Sequence, residues 1–161
     1  MSARYLALGA LALSAGAMAA MPEASPASAV TAAADCAAAA GPGTIDSTAI
    51  EQRGWKLASM SAKGKAIETP LMIYGKPAGG ALIMLSRDTT SPQACIITGG
   101  LENADGFGAV ADAFAGEFEP AGSKGDDRYF RIGKAIAILS PTGTAKEPAF
   151  RVAIMEPGVK K

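Results

Sequence analysis

The chain of 161 residues contains no histidine. That absence excludes Ser-His-acid and Cys-His nucleophile systems, zinc held by imidazole, and haem with a histidine ligand. Cysteine is nearly absent too: Cys36 and Cys95 stand alone, with no CxxC motif and no histidine to lower a thiol pKa. No Walker loop or GxGxxG fingerprint is present. No serine has a lysine three positions later. Ser61-Ala62-Lys63 is ordinary charged loop sequence. Neither sign of charge dominates, with 15 Lys+Arg against 15 Asp+Glu, so nothing electrostatic draws the chain to nucleic acid or to an anionic membrane surface. Long apolar runs are lacking as well. Tyr5 to Leu13, the longest near the N-terminus, is too short to cross a bilayer as a mature helix.

What is present at the N-terminus reads as a signal peptide over residues 1–19. Arg4 supplies the positive charge, Tyr5 to Leu13 the apolar core, and Ala17-Met18-Ala19 a small-x-small cleavage site before Ala20. Cys36 is not preceded by the leucine a lipoprotein needs. Removal of residues 1–19 takes away only Arg4, leaving a net charge of −1 on a chain expected in the periplasm or secreted, without stable membrane insertion after cleavage. Two cysteines in an exported chain most simply form one disulfide. Residues 20–34, rich in Ala, Ser and Pro, show no amphipathic period and read as a flexible tether. One α+β domain is expected over 35–157, with a loose tail at 158–161.

Residues 71–98 are the organising stretch: LMIYG, ALIMLSRD and ACIIT, separated by KPAGG and TTSPQ, read as three strands with tight turns. If KPAGG closes a hairpin, Met72 and Tyr74 share a face with Leu85 and Ile83, and Ile73 shares the other with Leu82 and Met84. The unbroken apolar run Ala81 to Leu85 predicts a strand covered on both faces. Upstream, Asp46 or Ser47 caps a short helix that Gly54 stops, with Ile45, Ala49 and Ile50 inward; Thr48 and Glu51 form an alternative capping box. Trp55 to Met60 is a strand with Trp55 and Leu57 on one side, and Ser61 to Thr69 a loop.

Downstream, Asn103 or Asp105 caps a helix to Phe118. Phe107, Val110, Ala111, Phe114, Ala115 and Phe118 recur at helical spacing along it, with Asp112 and Glu117 outward. Glu119 to Asp127 reads as a polar loop. Strands follow at Arg128–Ile132, Ala135–Ser140 and a last one where Phe150, Val152 and Ile154 point inward and Arg151 outward, after a turn over Pro141–Pro148. The fold class predicted is α+β: an antiparallel sheet of about six or seven strands with two helices packed on it and one disulfide, without an internal repeat.

A cysteine, a short helix, Gly54-Trp55, a β segment holding the second cysteine and an alanine-rich amphipathic helix, over Cys36 to Phe118, together resemble small exported proteins of Gram-negative bacteria that have no assigned role. That resemblance transfers no activity and no site.

Other motifs read as structure. Gly106-Phe107-Gly108 marks a helix start. Glu102 to Gly106 lacks the first carboxylate of a calcium loop, where Leu101 stands. Asp126-Asp127 beside Arg128 is a turn. Met60, Met72, Met84 and Met155 sit singly in apolar runs, without copper(I) spacing. The function expected is non-catalytic, without cofactor or metal: an exported domain binding a partner protein or envelope component. The alternative is a small-ligand carrier with an apolar pocket between sheet and helix, lined by Trp55, Tyr74 and Phe114. An acid-carboxylate hydrolase is the third reading.

Overall fold

The computed structural model describes residues 21–59, 61, 62 and 65–158. The expected signal peptide, Met60, the Lys63 of the Ser-Lys reading and the last three residues lie outside them. The described chain is α+β: one eight-stranded antiparallel sheet, two short two-stranded ribbons and three helices; one ribbon pairs Ser61–Ala62 with Lys65–Ala66 inside the stretch read as a loop, and the other pairs Ala40–Gly41 with Thr44–Ile45. The sheet strands are β1 Lys56–Leu57, β2 Leu71–Gly75, β3 Leu82–Ser86, β4 Cys95–Gly100, β5 Glu119–Lys124, β6 Asp127–Ile132, β7 Ala135–Gly143 and β8 Pro148–Met155. Their spatial order is β1-β2-β3-β4-β8-β7-β6-β5. The sheet is therefore two four-stranded meanders joined at the β4–β8 seam. The helix α3, Gly106–Glu117, carries the chain from β4 to the far edge, where β5 begins. A helix precedes each meander, so the topology repeats although the sequence does not.

The first helix corrects the sequence reading. Residues 26–34, assigned to a flexible tether, open a 14-residue helix, α1 Pro26–Ala39. Ser25 caps it by accepting from Ser28 N, and proline occupies the first turn, a start signature in its own right. Alanine has the highest helix propensity. Ala29, Ala32, Ala33, Cys36 and Ala39 are buried, at helical spacing. Such short side chains let α1 lie close to the sheet. The Ser28 hydroxyl accepts from Ala81 N at 2.8 Å, and a side chain at Gly80 (φ +99°) would strike that hydroxyl. The ordered chain thus begins well before Asp35: Gly100 N donates to Pro22 O at 2.8 Å and Ala24 N to Gly100 O at 2.9 Å.

Cys36 on α1 and Cys95 at the start of β4 form the disulfide, with Cα atoms 6.0 Å apart and both residues fully buried. The second helix, α2 Ser47–Gln52, is capped by Asp46, whose carboxylate accepts from Thr48 N and Ala49 N. Gly54 follows with φ +86°, as its stop position requires. On α3, Asn103 Oδ1 accepts from Gly106 N at 3.1 Å, while Asp105 makes no side-chain cap. Val110 and Phe114 are buried, Phe107, Ala111 and Phe118 half-buried, and Ala115 exposed, so the inner stripe is narrower than the spacing predicts.

The β2–β3 register matches expectation: Met72 pairs with Leu85, Tyr74 with Ile83 and Ile73 with Met84. After β3, Asp88 accepts from Thr90 N at 2.8 Å and from its hydroxyl at 2.6 Å; these two bonds hold the Asp88 carboxyl below the usual range and close the turn. Residues 119–124, read as a polar loop, form the edge strand β5, every residue of it exposed. A solvent-facing edge has no apolar face to reveal itself by alternation. β7 runs on to Gly143, so the turn before β8 is only Thr144–Glu147. Leu57 is 46% exposed rather than inward with Trp55, because β1 is two residues long at the opposite edge. β3 alternates in burial instead of being covered on both faces.

Candidate functional site

Trp55, Tyr74 and Phe114 do not line a common pocket. They are among the largest fully buried side chains. Phe114 belongs to the α3 half, its ring 5.3 Å from Phe118 and 5.4 Å from Phe130. Trp55 lies beside α1: its Nε1 donates to Asp35 Oδ2 at 2.8 Å, and Lys76 sits over its ring at 4.9 Å. Lys76 also reaches Asp35 Oδ2 at 3.3 Å, and Arg53 Nε lies 3.8 Å from Oδ1. This cluster ties α1 to the ends of α2 and β2 and covers the indole, leaving no open aromatic platform. A small cleft of about 180 Å³ beside Lys76 touches Trp55 but neither Tyr74 nor Phe114.

Tyr74 is a buried acid with a perturbed pKa. Burial of its ring raises the hydroxyl pKa above the ordinary 10.0, and the nearby Glu51 carboxylate, 3.4 Å away, adds to the rise. A folded-state value above the unfolded one means that Tyr74 contributes its full stabilisation below about pH 10 and loses it as pH climbs through the raised value. Thermal midpoints at about pH 8 and about pH 10.5 test this. Tyr74→Phe should flatten the alkaline fall relative to wild type, and equal slopes would remove Tyr74 from the account.

Two larger clefts open at the ends of the sheet. One, of about 470 Å³, lies between Met21 and Glu23, the end of β4, and the β7–β8 turn; Glu102, Lys146 and Glu147 provide its other charges. Another, of about 440 Å³, lies between Ala34, Ala37 and Ala38 of α1 and the β6–β7 turn at Gly133-Lys134. Among the described residues no group of three or more acidic or cysteine side chains is placed to hold a metal ion, and no helix is long and apolar enough to cross a membrane.

The sheet face opposite the helices is unusual in composition. Cys95, Ile97, Val152, Ile154, Ala137 and Leu139 point into the helix-covered core. The alternate residues point the other way. Cross-strand partners there form an unbroken row over six strands: Ile73 beside Met84, Met84 beside Ile96, Ile96 beside Ala153, Ala153 beside Ile138, and Ile138 beside Tyr129. All six are half-buried. Leu71 and Met155 at the margins are 41% and 38% exposed. A sheet with one face in water alternates apolar-in with polar-out; this one is apolar on both sides at its centre. The signal was in the sequence. Among the described residues, the uninterrupted runs at 71–74, 81–85 and 95–97 correspond to an apolar second face without a helix layer on it.

Comparisons with protein-family models, curated proteins and solved structures found no match.

Proposed function

We propose that the protein is an exported, non-catalytic binding domain that docks a protein partner through the open face of its sheet. The observation that carries this reading is the apolar row from Ile73 to Tyr129. A contiguous apolar patch rimmed by polar groups marks an interaction surface, and here Arg131, Arg151 and Glu119 stand at its borders. The disulfide suits an oxidising compartment, and the N-terminal signal pattern favours the periplasm or the medium. The carrier reading finds less support, since the space between sheet and helices is filled by side chains, including the three expected to line a pocket.

Photo-crosslinking in the producing cell tests it. A benzophenone amino acid is placed at Ile138 on the face, and at Asp112 on the exposed side of α3 as the control. Covalent protein adducts from position 138, absent at 112, are expected. A face that yields no adduct in the cell would overturn the docking reading.

A further inference from the structure

We infer that the occupant of the open face is a second copy of this chain, packed sheet against sheet about a two-fold axis; the inference rests on the docking reading above. The first argument is shape. The row crosses six strands, roughly 24 Å at ~4.8 Å per strand step. One docked helix covers a strip about 10 Å wide and would leave most of the row in water. A second twisted sheet, stacked at about 10 Å, matches the breadth.

Area agrees. Eight strands, seven steps, span roughly 34 Å, and five residues of depth add roughly 17 Å, a face on the order of 570 Å². A standard specific interface buries about 800 Å² per partner, and most lattice contacts less than half of that.

Self-complementarity follows from the topology. The two meanders meet at the β4–β8 seam. An axis along the strands at that seam lays Ile73 and Met84 over the partner's Tyr129 and Ile138. It also sets Ile96 of β4 over the partner's Ala153 on β8, so apolar side chains meet along the row. The chain without residues 1–19 carries a net charge of only −1, so two copies repel little.

The alternative route to self-association, edge to edge, is blocked. β1 has two residues. β5 carries Pro120, Gly122 at φ +125° and a register shift opposite Tyr129 and Phe130, features that disable an edge strand.

Sedimentation equilibrium over about 1 to 100 μM, on protein purified as the cell exports it, decides the matter. A reversible dimer is expected. Ile96→Glu places a charge at the centre of the face and should weaken self-association roughly 100-fold or more. Leu71→Lys with Met155→Lys changes only side chains already exposed, so it should fold and still dissociate the dimer; far-UV circular dichroism checks its fold. Ile67→Glu, 46% exposed and outside the sheet, should leave the dimer intact. A wild-type monomer at every concentration, or a dimer indifferent to the face variants, overturns the inference. The crosslink at position 138 separates the two claims. Adducts only to a different polypeptide keep the docking reading and remove the second copy, whereas a monomer with no adduct removes both.

Discussion

Phe114→Ala is expected to lower the unfolding free energy by roughly 3–5 kcal/mol, the range for an aromatic ring deleted from a closed core. The ring is fully buried. It stands edge-on to Phe118 at an interplanar angle of 73° and tilted against Phe130 of β6, so it joins α3 to the second meander. Truncation leaves a cavity between two rigid elements, which cannot collapse to fill it. Asp112→Ala, on the exposed side of the same helix, should cost little. Urea denaturation of the two variants makes the comparison. Coincident midpoints would mean that α3 is not anchored through this ring.

Much of that core was legible in the sequence because Phe107, Val110, Phe114 and Phe118 differ sharply in hydropathy from Asp112 and Glu117, and a helix with strong contrast announces its inner side. The β2–β3 register was legible for the same reason, reinforced by the KPAGG turn. α1 was not. Its outward positions, such as Ala34 and Ala38, are alanine just as its buried positions are, so the 3.6-residue period exists in burial but hardly in hydropathy. Ser25-Pro26 at its start was the readable signal: a cap residue followed by a proline whose missing N–H is harmless in the first turn. β5 failed differently. Exposed throughout, it has no side to bury, and Pro120 and Gly122 argue against a strand interior; only pairing with β6 makes it one.

The candidate site divides along the same line. Trp55, Tyr74 and Phe114 stand out in the sequence as large aromatics, and size in a chain with few aromatics selects for the core, which is where they lie. The open face was hidden by a degeneracy. A strand apolar on both sides reads identically whether its second side meets a helix of its own chain or another surface. Only the layer arrangement, with α1 and α3 on one side of the sheet, tells the two apart.

Removing the disulfide should be comparably costly. Cys36→Ala with Cys95→Ala is expected to lose roughly 2–5 kcal/mol. The bond links residues 59 apart, and closing a loop of that length restrains the unfolded chain by about 4 kcal/mol in the entropy treatment. Alanine is the cleaner replacement, because both sulfurs are fully buried and serine would add two hydroxyls needing partners. The native state should survive the loss. α1 keeps its buried alanines, its Ser28 bond to Ala81 and the Pro22 and Ala24 bonds to Gly100, so the bond adds stability to a helix that docks through its own packing. Two measurements separate these contributions. Reduced wild type, which retains the sulfur volume, should fall nearly as far as the double variant. Amide exchange in α1 should stay protected in both. Two reactive thiols per chain in denatured, unreduced protein would show that the bond does not form, and rapid exchange confined to α1 would show that the bond, not the alanine face, holds the helix down.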